Sequence, residues 1–435
     1  MPGLNAVARA IFSQALASVD VRRSVCAKFE RNGSVLRWSD GQLDLSEFPS
    51  LRVVAYGKAS CAMAQGLVDL LAPDFPVGGI LVTPQPATPS AGFDLFIGGH
   101  PLPNEASFLA ARAILALLAA ADRRTLVFFL LSGGGSALVE LPLDPAVTLE
   151  DMRGLHRLLV TCGGSIDEIN AVRKHVSAVK GGRLAAAAPQ AAKLTLAVTD
   201  VPAGRESALA SGPTIPDPST VDDACAVVRR YDLLDRLPAS LRPAFERRAL
   251  LETPKPGDPA FARSRFFLLL GHHDLFHQAH RAAEARGFVS ACDNSTDDWP
   301  LERAVDFLLD LLQRRKRAYP DRPVAVIADG EVRSPVIGDG VGGRNAAFAL
   351  AAVRKIAGLP VAVLSAGTDG IDGSSPAAGA VADGSTLDRA SAAGLDPADY
   401  FRRSDSYTFF SRLGDALLTG PTGNNLRDLR ILLHE

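Results

Sequence analysis

Aromatic residues make up only 6% of the 435 residues, with two tryptophans and five tyrosines. That scarcity argues against a surface on which nucleic-acid bases stack. Cysteine is also rare. Cys26, Cys61, Cys162, Cys225 and Cys292 are odd in number, far apart and form no CxxC pair. This excludes a disulfide framework and fits a reducing cytoplasm. Long apolar runs are missing; Leu126–Leu131 and Phe266–Leu270 are far too short to cross a bilayer. Charge of one sign is missing as well. A net charge of −2 gives no electrostatic footprint for nucleic acid or an anionic membrane as the main partner. Among the 46 basic residues only eight are lysine, so each lysine is informative.

What is present is ordinary globular material: 47% hydrophobic and 22% charged residues, in a length that suits two or three domains. Short apolar runs alternate with Ala/Leu-rich stretches. The runs are Arg52–Tyr56, Gly79–Val82, Leu126–Leu131, Leu194–Val198, Phe266–Leu270, Val324–Ala328 and Val361–Leu364. Strands apolar at every position imply burial on both faces, so an α/β fold with parallel strands is expected. The N-terminal stretch reads as an amphipathic helix with Val7, Ala10, Ile11, Ala15 and Leu16 on one face. Ser39-Asp40-Gly41 predicts a hairpin between two short strands. A proline-rich segment over 237–264 reads as a connection between domains.

In open parallel sheets ligands bind beyond the carboxyl ends of strands, so the residues after each run carry the functional reading. They are Gly57-Lys58-Ala59-Ser60; Ser132-Gly133-Gly134-Gly135-Ser136; Thr199-Asp200; Asp329-Gly330-Glu331; and Thr368-Asp369-Gly370-Ile371-Asp372. The glycine loop lets backbone amides approach an oxyanion, and a helix starting near Ser136 would add its positive end. Lys58 would place a point charge beside a transferring phosphoryl group. Asp200, Asp369 and Asp372 sit after different strands, where carboxylates commonly bind Mg²⁺ or accept a hydroxyl proton. Arg344, opening a helix after Gly342-Gly343 and followed by Asn345, suits a second anion clamp.

Between Cys162 and Leu184, Ser165 and Glu168 form a capping box, followed by Arg173, Lys174, His175 and Lys180. That segment is either an exposed charged helix or a basic face turned to an anion. His273, His277 and His280 share a helical face with zinc-like spacing, but no acid completes HExxH. Neither GxxxxGK[ST] nor GxGxxG follows a strand, and the protein-kinase motifs are missing.

The chain resembles the class II glycerate 2-kinases, the family with a C-terminal MOFRL domain, some of whose members carry an older hydroxypyruvate reductase name. The resemblance lies in AYGKAS (Ala55–Ser60), GGHPLPNEAS (Gly98–Ser107), LLSGGGSALVELP (Leu130–Pro142), CGGSIDEINAVRKHVSAVKGGRLA (Cys162–Ala185), VTDVPAG with SGPTIPDPST (Val198–Thr220), GGRNAAFALA (Gly342–Ala351), AGTDGIDG with AAGAVAD (Ala366–Asp383) and GPTGNNLRDLRILL (Gly420–Leu433). Departures are Ala346-Ala347 where Gln-Glu is usual, Val341 for a common lysine, Arg205-Glu206 for acidic residues, Gly271-His272-His273 for Gly-Ser-Asn and Pro376 for an aspartate.

The resemblance implies two three-layer α/β/α domains, a Rossmann-like parallel sheet in 1–240 and a mixed-sheet MOFRL domain in 260–435. Residues 1–50 could pack with the second domain, and the active site would lie in the interdomain cleft. It implies transfer from ATP, with Mg²⁺, to the 2-hydroxyl of D-glycerate. Lys58, Arg344 and Asp200 would be catalytic, with Asp200 and Asp369 as metal ligands. Ser132, Gly133, Gly134, Gly135, Ser136, Glu168, Arg173, Lys174, Lys180, Glu331, Asn345 and Thr368 would contact substrate or nucleotide. Neither nucleic acid nor membrane is expected as a partner, and a homodimer is compatible. The rival readings are a hydroxypyruvate reductase, a kinase for a related hydroxy acid, and a non-catalytic sugar-acid sensor.

Overall fold

A computed structural model describes every residue except 1, 2, 200, 202, 203, 421 and 423–425. The chain forms two compact units, Val21–Leu269 and Met1–Asp20 with Leu270–Glu435.

The 21–269 unit begins with an antiparallel three-stranded sheet, β1 (Glu30–Asn32), β2 (Val35–Trp38) and β3 (Gly41–Asp44). The expected Ser39-Asp40-Gly41 turn joins the last two strands. Its main sheet has the order β6-β5-β4-β7-β8-β9. The strands are β4 (Ser50–Tyr56), β5 (Gly78–Thr83), β6 (Phe93–Ile97), β7 (Thr125–Ser132), β8 (Ala192–Thr199) and β9 (Ser264–Gly271). The first five are parallel. Every residue of β7 and β8 is buried, as expected of central strands covered on both faces. Val54, Tyr56, Phe129 and Leu131 meet Ile114 and Leu118 of the helix Glu105–Ala119 in one core. Each such side chain contributes about 1.5–3 kcal/mol on burial.

The other unit holds a mixed sheet of order β10-β11-β15-β12-β13-β14. These strands are β10 (Val289–Asp293), β11 (Val324–Asp329), β12 (Val361–Gly367), β13 (Gly379–Asp383), β14 (Ala416–Leu417) and β15 (Asp428–His434). Only β10 and β11 pair in parallel; β15 runs antiparallel to both β11 and β12. The fold is thus α/β with one parallel and one mixed sheet, as expected.

Two sequence expectations are displaced. The N-terminal helix exists (Leu4–Ser18), but it buries Leu4, Ala8, Ile11, Phe12 and Ala15, with Ala10 exposed and Val7 and Leu16 only half-buried. Phe12 has more apolar surface to hide than Ala10, so the stripe rotates toward it. This helix packs on the helix His272–Glu284 and on β12 and β15, while residues 21–50 stay with the other unit. The proline-rich segment lies inside the 21–269 unit. Leu237, Leu241 and Phe245 enter a core with Leu155, Val172 and Val228. Thr253 Oγ1 donates to Asp217 Oδ2 at 2.9 Å, and Arg183 donates to the Leu251 carbonyl at 3.0 Å. Prolines stiffen this segment without separating domains.

Candidate active site

In the 21–269 unit, β4 and β7 are neighbours in register, with Tyr56 opposite Leu131. Their loops therefore leave the sheet side by side. Lys58 N donates to the Gly133 carbonyl at 3.0 Å, and Ala59 N donates to Ser132 Oγ at 2.9 Å. Gly57 has φ +124°, and a Cβ there would stand 2.6 Å from the Ser132 carbonyl oxygen. Only glycine fits both the dihedral and the approach. A Cβ on Gly134 would lie 3.1 Å from His100 Cδ2 and 3.6 Å from Lys58 Cγ. Lys58, His100 and the glycine loop thus form one cluster. Partial burial, and then the Lys58 charge, push His100 below the ordinary histidine range, so it is neutral near pH 7.

His100 was not among the expected site residues. The signal was Gly98-Gly99-His100 after β6, a strand whose FDLFI pattern is too mixed to stand out. The loop's serines are structural: Ser132 anchors Ala59, and Ser136 Oγ lies 2.9 Å from Ser211 Oγ, which donates to Asn170 Oδ1. The helix after the glycines is one turn, Gly135–Leu138, so it adds little macrodipole.

The basic residues of 166–180 are turned inward. Lys180 Nζ donates to Glu140 Oε2 at 2.6 Å, and both side chains are buried. Glu140 also accepts from Ser177 Oγ at 2.6 Å and from its neighbour Leu141 N at 3.0 Å. His156 Nε2 lies 3.0 Å from Glu140 Oε2. Burial alone would raise the Glu140 pKa, but Lys180 and His156 outweigh it and hold the carboxyl at about 2. Lys174 forms a second buried pair with Asp217 at 3.0 Å. Arg173 is half-buried near Glu140, whose charge partly offsets the depression that burial imposes on it. Glu168 accepts from Ser165 and from Tyr231 OH and pairs with Arg230. Lys174, Lys180 and Glu168 therefore brace the unit through partners of their own. Asp200 lies outside the described residues.

In the other unit, Arg344 opens the helix Arg344–Val353. Its Nε donates to Asp428 Oδ2 at 2.6 Å, Nη1 donates to Glu331 Oε2 at 2.9 Å, and Nη2 lies 2.6 Å from Glu331 Oε1. Burial opposes its charge, but Asp428 and then Glu331 more than compensate and raise its pKa. Arg344, Asn345, Asp369, Asp372 and Asp428 line one cleft of about 830 Å³, which Ala347 also faces, while Ala346 is buried in the core. Asn345 accepts from Ser365 Oγ at 2.6 Å and donates to Asp372. Thr368 is fully buried; its hydroxyl donates to the Arg427 carbonyl and accepts from Leu426 N, so it fixes the entry to β15.

Asp372 caps the Arg344 helix, accepting from Asn345 N at 3.0 Å and Ala346 N at 2.8 Å. Burial, assisted by Asp428, nevertheless raises its pKa to about 6 against those two amides. A carboxyl with a raised native pKa binds its proton more tightly when folded. Its contribution is fully present below the unfolded-state value of about 3.9 and is lost as pH rises through about 6. We expect wild-type stability to fall by up to about 3 kcal/mol from this group across pH 4–6. Urea melts of Asp372→Asn should lack that part of the slope.

The zinc-like histidines do not make a metal centre. His273 and His277 stack with centroids 6.2 Å apart, and His280 Nε2 lies 3.3 Å from Glu284. Among the described residues no group of three or more His, Cys, Asp or Glu is arranged to hold a metal ion.

A lysine beside a glycine-rich loop at the end of one parallel sheet, and in a second α/β unit a cleft lined by Arg344 and three aspartates, are the features of an α/β enzyme. Residues 7–246 match the family described as a domain of unknown function, DUF4147, and 324–428 match the MOFRL family. The chain is 37% identical to a D-glycerate 2-kinase of Thermotoga maritima over 87% of this chain and 89% of the relative. It is 36% identical to an Agrobacterium vitis protein provisionally named a hydroxypyruvate reductase, over 98% and 94%. The crystal structure of a glycerate kinase from Thermotoga maritima is similar with a TM-score of 0.86 at 34% identity, covering 99% of each chain. The chain belongs to the glycerate 2-kinase family.

Proposed function

We propose that the protein transfers the γ-phosphoryl group of ATP to the 2-hydroxyl of D-glycerate. The Lys58 cluster carries the reading: a scarce lysine fixed by its own backbone to the Gly133 carbonyl, beside glycines that admit close approach. Phosphoryl transfer needs positioning and positive charge more than covalent chemistry, and this loop supports both. Similarity to D-glycerate 2-kinase over most of both chains supports the substrate.

In this reading Lys58 and the loop hold phosphate oxygens. Neutral His100 beside Lys58 can accept a hydrogen bond from the attacking hydroxyl. Arg344 supplies a second charge, exchanging Glu331, whose side chain is 42% exposed, for a phosphate oxygen, while buried Asp428 keeps the guanidinium in place. Asp200 remains a proposed base or metal ligand from its position after β8. Magnesium ordinarily binds through one or two carboxylates together with nucleotide phosphates. Asp369 on the cleft wall fits that role. When bound, the ion would neutralise charge on the phosphates.

A reducing cytoplasm is the proposed location, supported by cysteines that are all unbridged. No helix among the described residues is long and apolar enough to cross a membrane. The test is ATP consumption that depends on added D-glycerate. The competing reductase reading instead requires loss of NADH absorbance with hydroxypyruvate.

A further inference from the structure

Downstream of β8, three successive residues take left-handed backbone angles. Ala210, Ser211 and Gly212 have φ +48°, +59° and +62°, and all three are buried. Glycine adopts this region freely, but alanine and serine do so at a steric cost. Backbone bonds from one neighbouring segment hold the run in place. Gly181 N donates to the Ser211 carbonyl at 3.0 Å, Gly182 N to the Gly212 carbonyl at 2.7 Å and Leu184 N to the Pro213 carbonyl at 3.0 Å. Strain of this kind persists only where the surroundings over-determine it, and it gathers at functional sites.

The strained run presses on the glycine loop. A Cβ added to Gly135 would stand 2.8 Å from Ala210 Cβ and 3.0 Å from Tyr56 Cδ2, so the loop is wedged between Ala210 and the end of β4. A hydroxyl chain adds direction to that contact. Ser211 Oγ donates to Asn170 Oδ1 at 3.0 Å, which uses its single proton. The 2.9 Å contact between Ser136 and Ser211 is therefore a bond that Ser136 donates. Ser211 is fully buried and Asn170 3% exposed, so neither hydroxyl bond faces competing water. The chain fixes Ser136, at the far end of the glycines from Lys58, to the helix Ile166–Val176 that carries Asn170.

We propose that Ser211 is a positioning residue for phosphoryl transfer. Through Ser136 and the Ala210 contact it sets where the loop amides stand beside Lys58, without touching either substrate. This role rests on the kinase reading above, which gives the loop its phosphate but does not say what holds the loop to shape.

Two measurements on the full chain test it. Ser211→Gly removes the hydroxyl yet takes φ +59° without strain, so the variant keeps its fold. It should lower kcat about tenfold, with the KM for D-glycerate within about twofold of wild type. Ser136→Ala should do the same, and the double variant should fall no further, because both substitutions break one bond. Hydrogen exchange over residues 133–139 should be about tenfold faster in Ser211→Gly than in wild type, the effect of one lost buried hydrogen bond. A normal kcat in Ser211→Gly, losses that multiply in the double variant, or unchanged exchange would each overturn the proposal. If the wild-type protein consumes no ATP on addition of D-glycerate, the kinase reading fails. The exchange measurement still decides whether Ser211 holds the loop.

Discussion

Lys58→Ala lowers the kcat for glycerate phosphorylation by at least about 10²–10³-fold, the range seen when one preorganised charge or donor is removed from a transition-state site. The protein is expected to stay folded, because Lys58 is only half-buried and the bond from its backbone N–H to the Gly133 carbonyl does not depend on the side chain. Steady-state kinetics beside a thermal melt separate the two effects. A variant with near-normal kcat would remove Lys58 from the chemistry. A variant that melts early would mean the side chain braces the loop instead.

Glu140→Gln produces the largest expected loss of stability. The substitution leaves the Lys180 ammonium buried without a counter-charge, and also weakens the contacts to Ser177 and His156. Breaking a buried pair from one side costs about 3–5 kcal/mol, which corresponds to a fall in Tm of roughly 10 °C for a unit of this size. The sign with pH follows from the depressed carboxyl. Its stabilisation is present above the unfolded-state value of 4.5 and is lost as pH falls through about 2. Wild type should therefore lose this contribution in acid, while the glutamine variant should lack that step. Calorimetry of both proteins at pH 7 and pH 3 checks magnitude and sign together.

The same residues show where local sequence reading stops. Lys174 and Lys180 follow a helix dense in polar groups, and spacing alone allows an exposed basic face. Their partners, Asp217 and Glu140, are 43 residues downstream and 40 upstream, so no local pattern reveals that both lysines are buried. Glu140 is a single acid within ALVELP, and only the fold brings His156, Ser177 and Lys180 to it.

The sheets show a similar division. Strands such as β7 were legible because the run Leu126–Leu131 is apolar throughout, and every residue of the strand is buried. Central strand β15 was not, because Asp428 and Arg430 interrupt its apolar run. The fold accommodates them by pairing Asp428 with Arg344 and laying the Arg430 guanidinium 4.9 Å from the Phe348 ring centre. Lys58 and Arg344 stood out in the sequence for a different reason. Each follows closely on a strand end or glycine pair, the position from which α/β folds ordinarily reach a ligand, and their role is the proposal that the kinetics above test.

The central claim is transfer of phosphate to one particular hydroxyl. Incubating the protein with ATP, Mg²⁺ and D-glycerate and following products by ³¹P NMR tests it most directly. The account predicts stoichiometric ADP and a single new resonance belonging to 2-phosphoglycerate. Phosphorylation at the 3-hydroxyl, or no phosphorylated acid alongside NADH oxidation by hydroxypyruvate, would contradict it.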